Sequence, residues 1–273
     1  MTKSQDRLSG KVAVVLGASG RGGMGEATAR RLAKEGAKVV VAARRLAPLQ
    51  ELAREIGGEA CVCDATKKPD IEALAAFAVK AFGGIDIAVY AAFKGCRSSI
   101  VDATEADIDE QLTVNYKGSF FFLQAMARAM RARGGGSIIM ISTAAVRAIM
   151  ENHAVYGGAK AGMEHLAQGL AVEEGKNGIR VNIIAPGLTR TEMSAGYVSV
   201  PGVVEAFAKE YPLGRIGTVD DVAAAAAWIA SDECFCTGAI FEINGGLTLR
   251  RNPTYAEIEA SKSQAASRAS PPR

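Results

Sequence analysis

The sequence predicts a doubly wound parallel α/β fold, built as a single domain, and three features carry that expectation. Short, β-branched apolar runs alternate with helical stretches, a glycine-rich loop separates the first run from the first helix, and the alternation continues to seven strands. With 273 residues, 49% of them hydrophobic and 22% charged, the chain is long enough to bury one large core.

Val12 to Leu16 (VAVVL) reads as a buried parallel strand, and Glu26 to Glu35 as a helix that Gly36 ends. Lys38 to Ala43 completes a βαβ unit. Further strands are expected at Glu59 to Cys63, Ile85 to Tyr90, Ser137 to Ser142, Ile179 to Ile184 and Ala239 to Ile243. Helices between them are expected at Leu46 to Ile56, Pro69 to Phe82, Glu105 to Arg131, Val155 to Gly175 and Val219 to Ser231. The domain therefore spans 1–249. Met193 to Gly217 interrupts the alternation as an insert, read either as a lid over a site or as a helix pair packed on the core. Residues 250–273, rich in Ser, Ala, Arg and Pro, read as a mobile tail with a short helix near Tyr255 to Ala266.

A formal net charge of +3, with both signs spread along the chain, argues against an electrostatic nucleic-acid binder. No apolar run is long enough to span a bilayer, and MTKSQDRLSGK lacks the apolar core of a signal peptide, so a cytoplasmic protein is expected. Cys61, Cys63, Cys96, Cys234 and Cys236 include two Cys-x-Cys pairs. That spacing is short for zinc, and neither His153 nor His165 lies near a pair, so reduced thiols and no metal are expected.

Gly17-Ala-Ser-Gly-Arg-Gly-Gly-Met-Gly25 lies between the first strand and its helix. Glycines there permit positive φ and close approach of backbone to a pyrophosphate, which the free N–H groups of the helix start attract. A site for NAD places a carboxylate at the end of the second strand. Here that place reads Ala42-Ala43-Arg44-Arg45, and Arg44 suits a 2′-phosphate, with Arg21 as a second cation, so NADP is favoured and NAD is second. Tyr156 and Lys160 stand four apart in a helical stretch, one above the other. An ammonium ion beside a phenol favours phenolate and lowers the pKa from about 10.

These residues together resemble the single-domain, NAD(P)-dependent branch of the short-chain dehydrogenase/reductase family, over about residues 8 to 249. The glycine loop opens the pattern. Asp64, with Ala65 beside it, stands at the adenine-contacting position, Asn115 in Val-Asn-Tyr-Lys-Gly at the helix asparagine, and Tyr156-x-x-x-Lys160 at the active pair. Arg180 to Met193, Pro212 to Gly217 and Asn244-Gly-Gly246 follow in order. The resemblance implies a Rossmann fold and an oxidoreductase interconverting a ketone and a secondary alcohol, forming dimers or tetramers through the Tyr156 helix and its neighbour. It implies cofactor contacts from Gly17, Ser19, Arg21, Gly23, Met24, Gly25, Arg44, Asp64, Ala65, Ala91, Tyr156, Lys160, Pro186, Gly187, Thr189 and Thr191. It implies catalysis by Asn115, Thr143, Tyr156 and Lys160.

The chain departs from the family pattern at three places. Two residues are inserted in the glycine loop. The usual Asn-Asn-Ala-Gly reads Tyr90-Ala-Ala-Phe93, which leaves backbone contacts from Ala91. The serine position holds Thr143, whose hydroxyl is an equivalent donor, with Ser142 as the fallback. Phe93, Ala145, Arg147, Met150, His153, Met193 and Tyr197 are candidate pocket walls for a small-molecule carbonyl or alcohol, and Arg147 or Lys94 could accept an acidic group. A 3-oxoacyl-thioester reductase and a non-catalytic dinucleotide-binding protein on the same fold are the competing readings.

Overall fold

The structure, a computed structural model, describes residues 6–269; the tail positions 270–273 lie outside the described residues. Seven parallel strands form one sheet: β1 (Val12–Leu16), β2 (Lys38–Ala43), β3 (Glu59–Val62), β4 (Ile87–Tyr90), β5 (Gly136–Ile141), β6 (Ile179–Ile184) and, last in the chain, β9 (Ile240–Phe241). Their order is β3-β2-β1-β4-β5-β6-β9, so the direction of winding reverses between β1 and β4. Adjacent strands keep the register Val14↔Val40 and Val14↔Ala88, which stacks three apolar residues across the centre.

Helices cover both faces. On one side α3 (Lys68–Phe82), α5 (Gly118–Arg133) and α6 (Ala154–Glu174) bury Ile71, Leu74, Phe122, Met126 and Met163 against the sheet. On the other, α1 (Met24–Lys34), α2 (Leu46–Ile56) and α9 (Val219–Ala230) bury Leu32, Leu49, Leu52 and Val222. Burying one such side chain contributes about 1.5–3 kcal/mol. The two layers hold the strands rigid, and the loops at their carboxyl ends inherit that rigidity.

The helix expected from Glu105 to Arg131 is divided. It begins as α4 (Glu105–Gln111), passes through one π-helical turn over Leu112–Lys117, and continues as α5. The turn leaves carbonyls outside the ordinary i→i−4 ladder, and side chains take them up. Tyr90 Oη donates to Val114 O at 2.8 Å, and Ser119 Oγ to Tyr116 O at 2.7 Å.

The 193–217 insert forms a helix pair, α7 (Glu192–Val198) and α8 (Val203–Ala208). Its ends are clasped by a two-stranded parallel ribbon of β7 (Thr189–Arg190) and β8 (Gly217–Thr218). Beneath it lies a third core of Val203, Phe207, Tyr211, Ile216 and Leu247, which also takes in Ile258 from α10 (Tyr255–Ala269). The tail is thus docked as a helix through Ala269 where composition suggested mobility. Gly202 passes so close that a Cβ there would lie 2.4 Å from Ser261 O. Asn252 Nδ2 also donates to Ala148 O at 2.6 Å. Ending the chain at Leu249 uncovers this core. Loss of the Ile258 side chain alone costs ~2 kcal/mol, and the melting temperature is expected to fall by roughly 4–8 °C, read by thermal unfolding. Among the described residues, no helix is long and apolar enough to cross a membrane.

Candidate active site

Where the winding reverses, the loops after β1 and β4 run side by side at the carboxyl ends of the strands, the crevice position of a doubly wound sheet. Gly17 enters the glycine loop at φ +102°, with its N–H bonded to Ala42 O at 2.7 Å. A Cβ at Gly17 would lie 2.4 Å from Ala92 N, and one at Gly25 would lie 2.4 Å from Gly17 O. Only glycine lets the loop cross there. The two inserted residues close a tight turn in which Gly23 N donates to Gly20 O at 2.9 Å and Gly22 N to Glu26 Oε2 at 2.5 Å. The start of α1, at Gly23, has no side-chain cap, so its first N–H groups suit an anion.

Arg21 is exposed at the tip of this turn, beside the hollow between α1 and α2 that Ser19, Arg30 and Glu51 also line. Arg44 is exposed at the end of β2, near enough to Asp64 to help hold that carboxyl below its usual range. Burial pushes the Asp64 carboxyl up, and it is outweighed by hydrogen bonds from Thr66 N and Oγ1 and by the Lys67 and Arg44 charges. Arg45, which the sequence did not single out, reaches back over the loop, and its Nη2 donates to Ser19 O at 2.6 Å. Met24 packs on the second core, and Ala91 N donates to Leu16 O at 2.8 Å. Ala65 is buried, and its carbonyl lies 2.5 Å from where a Gly118 Cβ would be. Gly118 therefore has no room for a side chain, with Tyr90 Oη pressing from the other side at 2.9 Å. Tyr90 thus braces the π turn, and its ring packs tilted against Phe122 with ring centroids 5.2 Å apart.

Beyond β6 the chain turns through Pro186 and Gly187. Ala144 N donates to Pro186 O at 2.7 Å, tying this turn to the loop that carries Thr143. Leu188 N donates to Tyr211 Oη at 2.7 Å, and a Gly187 Cβ would fall 2.3 Å from that oxygen. Thr189 Oγ1 donates to Gly187 O, while Thr191 caps α7 by accepting from Ser194 N.

Tyr156 and Lys160 lie on α6, Thr143 lies just past β5, and Asn115 lies in the π turn against which α6 packs. Tyr156 keeps part of its surface accessible, but its hydroxyl is closely surrounded. Burial pushes the phenol up to about 12, against a hydrogen bond from Thr143 that pulls it down. Lys160 is fully buried, with Nζ donating to Ile141 O at 2.8 Å and standing 6.0 Å from the Phe93 ring centroid. Burial pushes its ammonium down to about 7, opposed by the Glu164 carboxylate. The expected lowering of the Tyr156 pKa by Lys160 is not what this arrangement displays. Desolvation dominates the phenol, and the ammonium is turned to a strand carbonyl. Asn115, fully buried in the π turn, donates from Nδ2 to Lys94 O and Gln111 Oε1, both at 2.8 Å. It therefore staples the loop after β4 to the turn.

Ser142 points away from Tyr156 and is spent elsewhere, its Oγ donating to Glu164 Oε1 at 2.5 Å. Thr143 is the hydroxyl that pulls the phenol's pKa down. Arg147 and Lys94 are paired with Glu164 at 2.6 Å and Glu110 at 3.0 Å, which leaves neither as an uncompensated cation for an acidic substrate. Met150 and Tyr197 pack against the third core, while Met193 is exposed. Among the described residues no cluster of three His, Cys, Asp or Glu side chains could hold a metal ion, and all five thiols are free.

A family model described as enoyl-(acyl carrier protein) reductase matches residues 17–248. D-threitol dehydrogenase of Mycolicibacterium smegmatis is 32% identical over 264 residues, covering 92% of this chain and 100% of that protein. Human dehydrogenase/reductase SDR family member 4 is 34% identical over 253 residues, covering 90% of each. A solved short-chain type dehydrogenase/reductase from Mycobacterium ulcerans superimposes with a TM-score of 0.87 at 28% identity, covering 91% of this chain and 94% of that one.

Proposed function

The chain belongs to the short-chain dehydrogenase/reductase family and is an NAD(P)-dependent oxidoreductase acting on CH–OH groups, and on that premise we propose that it is an NADP(H)-dependent enzyme interconverting a ketone and a secondary alcohol with Tyr156 as general acid and base. The observation that carries this reading is the phenol of Tyr156 with the Thr143 hydroxyl near enough to pull its pKa down, one helical turn from the buried Lys160.

The glycine loop and the uncapped start of α1 fit a dinucleotide pyrophosphate, and Ala91 offers backbone beside that loop. Asp64 and Ala65 would hold the adenine side, and Pro186, Gly187, Thr189 and Thr191 the nicotinamide side. The bound nicotinamide supplies or accepts the hydride. Thr143 donates a hydrogen bond to the substrate oxygen, and Tyr156 gives that oxygen its proton in reduction or takes it in oxidation. A phenol held at about 12 is a reluctant base, so the Lys160 charge has to act on it when the site is assembled. Asn115 keeps the π turn against the loop after β4, with its main-chain carbonyl directed to the proton relay.

Arg44 at the end of β2, with no carboxylate beside it in the chain, supports NADP over NAD, and the Arg45 bond to Ser19 steadies the loop it would work with. Exposed Leu112, Tyr116 and Phe120 continue into a groove between α5 and α6, which supports a homo-oligomer, a dimer or tetramer packed on that face. A cytoplasmic, non-membrane location completes the reading. A 3-oxoacyl thioester is the second substrate reading, since the Arg180 to Met193 and Pro212 to Gly217 segments also resemble reductases of such thioesters.

The test is nicotinamide absorbance with both cofactors over a panel of ketones, secondary alcohols and a 3-oxoacyl thioester. Turnover with NADPH exceeding NADH supports the reading; no turnover with any pair returns the chain to a binding role. Arg44→Asp is expected to weaken NADPH about 10- to 100-fold, the worth of one charge-assisted contact. Unchanged NADPH affinity would remove Arg44 from the phosphate.

A further inference from the structure

Glu164 is the buried charge that the reading above leaves without a role. It sits on α6 one turn beyond Lys160 and is 4% exposed. Its Oε1 accepts from Ser142 Oγ at 2.5 Å and from Arg147 Nη1 at 3.3 Å, and its Oε2 accepts from Arg147 Nη2 at 2.6 Å. Arg147 leans in turn on Glu242, with Nε 3.5 Å from Oε1. A buried carboxylate is costly unless paired and hydrogen-bonded, and this one is both.

The geometry makes two adjacent rungs between α6 and the end of β5. Lys160 Nζ holds Ile141 O, and the next residue, Ser142, holds Glu164. Thr143 follows directly, and Arg147 pins the far side of its loop to the same carboxylate. We propose that Glu164 is the positioning residue of this centre, fixing, through Ser142 and Arg147, the strand end that presents Thr143 and whose Ile141 carbonyl holds Lys160. The inference rests on the Tyr156–Lys160 reading.

Lys160 has Tyr156 and Glu164 one turn to either side on α6, and it meets the Ile141 carbonyl from β5 and the Phe93 ring from the loop after β4. Among the described residues, Glu164 is the charged group that opposes the burial of Lys160. Arg147 faces the carboxylate, not the ammonium. Removing the negative charge therefore lowers the pKa of Lys160 further, and the protonated form is lost at a lower pH.

Glu164→Gln keeps an oxygen acceptor for Ser142 and deletes the charge. The descending basic limb of kcat/KM for carbonyl reduction is expected to move down by on the order of one pH unit, since opposite charges at short range shift a pKa by that much or more. Glu164→Asp, which keeps the charge, is expected to restore the position of the limb at a lower rate. A merely structural role would lower the rate evenly at all pH. A second readout needs no substrate: melting temperatures of wild type, Glu164→Gln, Lys160→Met and the double variant. Coupling is expected, with Glu164→Gln costing more when Lys160 is present. Additive melting shifts overturn the proposal whatever the activity, and so does a basic limb at the wild-type pH in Glu164→Gln. Coupled melting in a chain that turns over no carbonyl or alcohol upholds the Glu164–Lys160 link and removes the oxidoreductase reading instead.

Discussion

Replacing Tyr156 by Phe is expected to lower kcat by about three orders of magnitude while leaving NADPH affinity within a few-fold of wild type. A positioned general acid contributes ~10²–10⁴ in rate, and a thousandfold loss corresponds to about 4 kcal/mol of transition-state stabilisation. The variant removes one oxygen and keeps the ring. Thr143 Oγ1 still accepts from Ala145 N at 3.2 Å, and Lys160 still donates to Ile141 O. Neither the loop after β5 nor the ammonium is released, so stability should change by no more than about 1 kcal/mol. Stopped-flow NADPH fluorescence reads affinity, and steady-state absorbance reads turnover. Turnover close to wild type would remove Tyr156 as the acid. A parallel loss of affinity would mean that the hydroxyl serves binding and not proton transfer.

The central strands were legible because each is buried on both faces and spells itself as a short apolar run bounded by turns, whereas the edge strands β3 and β9 are only partly buried. The break at Leu112–Lys117 was not legible. Its apolar spacing reads as helix, and the π turn depends on Tyr90 reaching Val114 across 24 residues of chain. The β7–β8 ribbon is two residues per strand, too short for any periodicity. The tail's helix was expected from Tyr255 to Ala266, but its docking was not legible from composition. Tyr255 and Ile258 stand three apart on one face of α10, but the surface they meet, around Gly202 and Val203, lies some fifty residues earlier.

The candidate site divides in the same way. Tyr156 and Lys160 could be named from their spacing, while Thr143 and Asn115 were named by the family pattern; in the structure Lys160 holds the end of β5, and Asn115 holds Lys94 and Gln111. Which of Arg44 and Arg45 reaches the glycine loop could not be read, since adjacent residues at a strand end point to opposite sides only once the strand is placed. Glu164 was invisible for a different reason. A glutamate eight residues after the tyrosine looks like any helix-surface charge until Ser142 and Arg147 are seen closing over it. Arg147, expected to face substrate, is consumed by that same contact.

Substituting Gly17 by Ala is expected to be the most damaging single-methyl change in the crevice. Two costs combine there. At φ +102° an L-residue is strained, by about 1–2 kcal/mol. The new Cβ would also lie 2.4 Å from Ala92 N and 2.5 Å from Ala91 C, both backbone atoms. They cannot retreat cheaply, because Ala91 N is bonded to Leu16 O and Gly17 N to Ala42 O, locking both sides of the contact into the sheet. Overpacking of this kind costs about 1–3 kcal/mol. A total near 3 kcal/mol lowers the melting temperature by roughly 6–12 °C in a domain of this size. NADPH binding should weaken as well, since relief of the clash pushes the glycine loop into the crevice. Gly57 supplies the control: it has φ +65° at the end of α2 but nothing within 4 Å of its would-be Cβ, so Gly57→Ala carries the strain without the clash. Melting of Gly17→Ala should therefore fall well below that of Gly57→Ala. If the two variants melt together, the close passage of the glycine loop over β4 does not constrain the fold, and the rigidity assigned to the cofactor crevice goes with it.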